Sequence, residues 1–404
     1  MSLTAGPPRL LWPSKPEEAE LELERLGSTD PWQGPMGFPP RGGISRHNTS
    51  AYVALRWSES IPDSAWSADS PPLLNRTGNR GMGMIAYGPA AVVCEWLEGL
   101  GDSATEALSA VRYGAGVELP VHWQAGLVDI PLHDCTRLMA IVNVTPDSFY
   151  EVSRTGDLQR VEEVVSKAAD EGADIIDIGG ESSRPGAEPL PVEIELERVI
   201  PAVELAVATT GLPVSIDTTK AEVAGAALDA GAVVVNDISA GSSDPDMFPL
   251  VAERGAGLVI MHRLGLSAAM QKDPQYDDLI GDIHAFLAAR AREAVEAGIE
   301  CERIVIDPGL GFGKRRGHNY EIYRRVAEFH SLGYPLLVGP SRKRHTSGPG
   351  DRPAEERLMA TAAACAILAY CGVQLLRVHD IGEMRLALDT VDEIRGAIVE
   401  DRIS

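Results

Sequence analysis

A chain of 404 residues has room for a large core and at least one further region, and at 44% hydrophobic and 24% charged it reads as globular and soluble. A formal net charge of −23 argues against nucleic acid as a general partner, yet a local basic cluster in a cleft can still hold a small anionic substrate. No apolar run is long enough to span a bilayer, the N-terminus lacks a signal-peptide layout, and the five cysteines form no CxxC pair, so the expected setting is reduced and cytoplasmic, with no membrane partner.

The composition changes near residue 130. All six tryptophans (Trp12, Trp32, Trp57, Trp66, Trp96, Trp123) precede that point. Residues 1–80 are rich in Pro, Gly, Ser and Trp around one charged helical stretch, Lys15 to Arg25. Ala90 to Leu100 reads as a short helix with Val92, Val93, Trp96 and Leu97 on one face. Residues 1–130 are read as an N-terminal extension or small accessory domain without a catalytic constellation, and residues 131–404 as the main domain.

From residue 138 short apolar runs alternate with amphipathic stretches. The runs are Leu138–Val144, Asp174–Gly179, Val214–Asp217, Val233–Asn236, Leu258–His262, Ile304–Asp307, Leu336–Gly339 and Leu375–His379. Between them lie helical patterns such as Leu158–Glu171, Val192–Ala208, Tyr276–Ala297 and Glu355–Tyr370. Near-continuous hydrophobic strands alternating with helices imply parallel strands buried on both faces. Eight such units in about 270 residues match a (β/α)8 TIM barrel, with a doubly wound open sheet as the alternative.

Polar residues recur where these strands end, the edge at which parallel α/β folds bind ligands. Side chains alternate across a strand, so Ser215 pairs with Asp217, Val305 with Asp307 and Arg377 with His379. Buried acids and amides at strand ends suit a planar heterocycle: Asp217 and Asp307 accept from ring N–H groups, and Asn236 both donates and accepts. The alternative for any single acid is that it caps its own loop. Arg184, Lys314, Lys343, Arg377 and His379 lie at or just beyond strand ends and could grip phosphate oxygens, whereas Arg315 and Arg316 read as solvated. Gly309 to Lys314 is no phosphate-binding loop of the GxxxxGK[ST] kind, and the nine histidines form no HxH or HxxxH pair, so zinc is not expected.

Taken in order, Ile141–Phe149 (IVNVTPDSF), Asp177–Gly186 (DIGGESSRPG), Ser215–Thr218, Asn236–Ile238, Met261–His262, Asp307–Lys314 (DPGLGFGK), Ser341–Lys343 and Arg377–Asp380 resemble the motifs of the dihydropteroate synthase family of pterin-binding barrels. The resemblance spans residues 138–400, about two-thirds of the chain. It implies condensation of 6-hydroxymethyl-7,8-dihydropterin diphosphate with p-aminobenzoate, with Mg²⁺, in folate biosynthesis, by a sulfonamide target that is a homodimer through its last helices. Carried across, it implies that Asp217, Asn236, Asp307 and Lys343 hold the pterin, with Met261, Phe312 and Gly339 shaping its slot. Asn143, Arg377 and His379 would hold the diphosphate, Asn143 also its metal, and Phe149, Ser183, Arg184 and Pro185 would lie in loops over p-aminobenzoate. Catalysis would rest on Asp217, Asp307, Lys343, Arg377 and His379.

The chain departs from that pattern in two places: Tyr150–Arg154 replaces a Ser-Asp-Gly-Gly-like turn, and Arg344 stands where the family has a small hydroxyl residue. Both touch the acceptor side. A corrinoid-serving methyltransferase on the same barrel would share Asp217, Asn236 and Asp307 but has no use for the diphosphate grip. A catalytically silent barrel with a partner-binding extension would not need Asn143, Lys343, Arg377 and His379.

Overall fold

The computed structural model describes residues 120–144, 154–181, 190–265 and 274–400, apart from 134, 349 and 351, together with Leu97 and four short upstream strands. Those strands, β1 (Arg9–Leu11), β2 (Tyr52–Arg56), β3 (Asn75–Gly78) and β4 (Met84–Pro89), form an antiparallel sheet in the order β1-β2-β4-β3. Lys15 to Arg25 lies outside the described residues. Within Ala90 to Leu100 only Leu97 is described, and it is helical and buried.

The main body is a closed barrel of eight parallel strands: β7 (Arg137–Asn143), β8 (Ile175–Gly179), β9 (Val214–Asp217), β10 (Val234–Asp237), β11 (Gly257–Met261), β12 (Ile304–Asp307), β13 (Leu337–Val338) and β14 (Leu375–Val378). Ladders run from β12 through β7 and β14 to β13. The ring closes through one parallel bridge, Ile306 to Leu336, with Ile306 N donating to Pro335 O at 3.0 Å. The open-sheet alternative is thereby set aside.

One helix follows each strand: α1 (Arg154–Asp170), α2 (Val192–Thr210), α3 (Ala221–Asp229), α4 (Met247–Arg254), α5 (Leu279–Glu296), α6 (Arg316–Arg325), α7 (Leu358–Tyr370) and α8 (Ile381–Glu400). In α5 the capping Asp278 carboxylate accepts from Gly281 N at 3.1 Å, satisfying a helix-end donor. Leu279, Ile283, Leu287, Ala291 and Ala294 then recur every three or four residues and bury one face. Among the described residues, no helix is long and apolar enough to cross a membrane.

Strand alternation divides the barrel into two cores. Outward residues, among them Leu138, Ile176, Ile216, Val235, Leu258, Ile306, Val338 and Val378, pack against the helices. Inward residues near the strand starts, Met139, Ile175, Val234, Val259, Val305, Leu337 and Leu375, form a second apolar cluster. A hairpin, β5 (His122–Ala125) and β6 (Val128–Pro131), supplies the rest of that cluster through Trp123, Ala125 and Ile130.

The hairpin plugs the bottom of the barrel. Trp123 is fully buried, and its indole N–H donates to Arg303 O at 2.9 Å. Gly257 at the start of β11 admits it: a Cβ there would stand 2.9 Å from Ala125 Cβ and 3.2 Å from Trp123 Cζ2. The barrel core therefore draws on residues either side of position 130.

Candidate active site

Most of the inward positions nearest the strand ends are polar, and Arg377 of β14 organises them. Its Nε donates to Asp177 Oδ2 at 2.5 Å and its Nη2 to Asp217 Oδ2 at 2.6 Å. Asn236 Nδ2 donates to the same Asp177 oxygen at 3.2 Å. Burial pushes the Asp217 carboxyl up to about 7; Arg377 pulls it down, and Asp177 and Glu195 push it further up. Burial works against the Arg377 charge too, but Asp177 and Asp217 outweigh it and hold the group above its usual range. The acid at the end of β10, Asp237, binds its own loop, accepting from Ser239 N at 2.7 Å and Ser239 Oγ at 2.6 Å.

The glycine-rich turn after β12 folds against the β11 loop. Asp307 Oδ1 accepts from Gly309 N at 2.7 Å. Gly309 has φ +70°, and a Cβ there would stand 2.0 Å from His262 O, so no other residue fits. Asn319 of α6 braces the turn, accepting from Gly311 N at 2.7 Å and donating to Arg315 O at 2.8 Å.

Lys314 ends this turn buried rather than free. Its Nζ donates to Phe312 O at 3.0 Å and His262 O at 3.2 Å and meets His262 Nδ1 at 2.9 Å. Burial holds Lys314 well below the usual lysine range and, with Lys314 beside it, drops His262 to about 2. Lys314, grouped by sequence with the phosphate-gripping cations, is instead a tie between two loops.

Lys343 reaches back across the barrel mouth. Its Nζ donates to Leu310 O and lies 4.6 Å from the centre of the Phe312 ring. Burial lowers its pKa to about 8, opposed by Asp307 and Asp217. Asp307 is raised by burial and lowered in turn by Lys343. Buried Met261 and Gly339 line the same region: a Cβ on Gly339 would lie 3.7 Å from Arg377 Cβ and 3.9 Å from Lys343 Nζ. At the end of β7, Asn143 Oδ1 and Asp217 Oδ2 both stand 3.7 Å from where a Gly179 Cβ would be.

The β13 and β14 loops are clasped residue for residue. Ser341 Oγ meets His379 Nδ1 at 2.9 Å and accepts from His379 N at 3.2 Å. Arg342, with φ +52°, pairs with Asp380 through both Nε (2.9 Å) and Nη2. Arg344 opens the short 3₁₀ turn Arg344–Ser347 and is exposed.

The structure thus brings together Asn143, Asp217, Asn236, Met261, Asp307, Phe312, Gly339, Lys343, Arg377 and His379 at one barrel rim. Phe149, Ser183, Arg184 and Pro185 lie outside the described residues. Sequence reasoning gave no role to Asp177, Ser341, Asn319 or the Arg342–Asp380 pair. Asp177 had a signal: it is a charged residue at an inward position of an otherwise apolar strand.

Residues 139–379 match the family described as pterin binding enzyme. The chain belongs to that family. It is 40% identical over 260 residues to the dihydropteroate synthase of Synechocystis, covering 64% of this chain and 90% of that one. It is also 42% identical over 297 residues to a probable bifunctional folylpolyglutamate synthase/dihydropteroate synthase of Haloferax volcanii, where the match covers 74% of this chain but spans only 35% of the relative. Among solved structures, Xanthomonas albilineans dihydropteroate synthase with 4-aminobenzoic acid superposes with a TM-score of 0.63 at 40% identity, covering 68% of this chain and 98% of that one.

Proposed function

We propose that this chain is a dihydropteroate synthase, joining 6-hydroxymethyl-7,8-dihydropterin diphosphate to p-aminobenzoate and releasing pyrophosphate. The observation that carries the reading is one guanidinium, Arg377, bound to Asp217 and Asp177 while Asp307 and Lys343 face it across the same mouth. Asp217, Asn236 and Asp307 present acceptors and an amide to the pterin edge. Met261, Phe312 and Gly339 bound its faces.

The pterin methylene C–O bond breaks, and its electron pair leaves with the diphosphate. Positive charge spreads into the ring, where the Asp217 and Asp307 carboxylates stabilise it. Arg377, with Nη1 outside both of its carboxylate bonds, and His379 receive the leaving oxygens. The aromatic amine nitrogen then forms the C–N bond and sheds its proton. It needs a dry, positioned approach rather than a strong base.

Mg²⁺ fits this rim sparingly. Among the described residues no group of three or more His, Cys, Asp or Glu could hold a metal. The hard amide oxygen of Asn143 lies at the β7 end beside the Asp217 carboxylate, suited to an ion held mainly by diphosphate oxygens and water. When bound, Mg²⁺ would neutralise the leaving charge. A cytoplasmic homodimer, paired through α7 and α8, completes the reading; exposed Met359, Leu386 and Ile394 on those helices support it.

The deciding measurement is pyrophosphate release from the pterin diphosphate with and without p-aminobenzoate. Release dependent on the amine is expected; its absence in the folded protein would refute the assignment.

A further inference from the structure

Resting on the synthase reading, we infer that Ser341 is a positioning residue for His379, holding the imidazole as its neutral Nε2–H tautomer so that the ring edge away from Ser341 is an N–H donor. A hydroxyl carries one proton and can accept more than one bond. Ser341 Oγ already accepts the His379 backbone N–H at 3.2 Å. Among the described residues, the one acceptor near its own proton is His379 Nδ1, at 2.9 Å. If Nδ1 carried a proton, two N–H donors would converge on Oγ and the hydroxyl proton would be stranded, with Ser341 only 6% exposed. A buried donor left unmade is costly, so the bond on one imidazole nitrogen decides where the other proton sits.

The clasp behind Ser341 keeps this geometry from relaxing. Arg342 N donates to Thr361 Oγ1 of α7 at 3.1 Å, and Arg342 O accepts from Arg357 Nη1 at 2.8 Å. The Arg342 side chain grips Asp380, the residue after His379. Ser341 and Arg342 therefore fix His379 and Asp380 as a pair, and the left-handed Arg342 backbone, unusual for a non-glycine residue, marks a site held against strain. His379 itself is exposed at the barrel rim.

The test is ¹⁵N NMR of the full chain labelled on its histidine rings, with the His379 signals assigned by their loss in His379→Gln. The wild type should show His379 protonated at Nε2 and bare at Nδ1. Ser341→Ala should give a mixture of tautomers, and Ser341→Thr, which keeps the hydroxyl, should restore the Nε2–H form. Kinetically, Ser341→Ala should raise the KM for the pterin diphosphate roughly tenfold, the lower end of the loss when the hydrogen-bond partner of a metal-ligating imidazole is removed, and leave the KM for p-aminobenzoate unchanged. A wild-type ring protonated at Nδ1, or a tautomer unmoved by Ser341→Ala, overturns the inference. The wild-type spectrum decides even if a variant misfolds. Failure of the synthase reading would show separately, as wild-type protein that releases no pyrophosphate.

Discussion

Arg377 and Asp217 meet at 2.6 Å across the barrel mouth although β8 and β7 lie between their strands in the sheet. The same guanidinium takes Asp177 on β8, so one cation holds a buried and a half-buried acid at separations their strands alone would not set. Its field opposes the burial that raises Asp217 to about 7.

Pterin affinity should therefore depend on pH. Binding of a pterin without diphosphate should strengthen as pH climbs through about 7, where Asp217 gains its charge. Arg377→Met removes the group that lowers Asp217 and should move that midpoint upward. Folding runs the opposite way. A carboxyl raised from 3.8 contributes stability that is full below that value and is lost as pH rises through about 7. Calorimetric titration of both proteins across this range checks the first claim, and an unmoved midpoint in Arg377→Met would count against it.

Asp307→Asn should weaken pterin binding by roughly 1.5–3 kcal/mol, the scale of a hydrogen bond to a charged group. The amide can still accept from Gly309 N through its oxygen, so the loop should survive and the loss should fall on the ligand. Wild-type pterin affinity in this variant would remove Asp307 from the site.

Lys343 should set an alkaline limit. Burial brings its pKa to about 8, so it loses its charge as pH rises through that value. The kcat/KM for the pterin diphosphate should fall with a midpoint near 8, and Lys343→Arg, which stays charged, should abolish that limb even if overall activity drops. A pH–rate profile of both proteins checks this.

The plug predicts where truncation fails. Trp123→Ala should cost about 3–5 kcal/mol of folding stability, the range for emptying a buried aromatic site. A chain beginning near residue 120 keeps the hairpin and should fold with its site intact; one beginning beyond Pro131 loses Trp123 and Ile130 from the lower core and should unfold or aggregate. Denaturant melts of the two fragments measure the difference.

The barrel was legible because its strands are buried on both sides. Val214–Asp217 and Ile304–Asp307 coincide with β9 and β12, and the other runs differ from their strands by a residue or so at their ends. The rim acids and cations were legible because they interrupt apolar strands at matching positions. The hairpin was hidden in a region whose tryptophans suggested a separate unit. Its partners, Gly257 and Arg303, lie more than a hundred residues away, a pairing that no local pattern reports. Lys314 misled for a related reason: a lysine after a glycine turn looks free until the His262 carbonyl is folded onto it. The Ser341–His379 contact likewise needs two loops brought together by the closed ring.

That ring has one weak seam. Every other neighbouring pair of strands shares a ladder, while β12 and β13 share a single bridge at Ile306 and Leu336. β12 ends on Asp307 and the loop after β13 carries Lys343, whose ammonium already crosses to Leu310 O. A bound pterin held by both residues would lie over the seam like a suture. Amide exchange at Ile306, whose N–H bonds Pro335 O, would then report ligand binding from the scaffold itself, one residue from the chemistry.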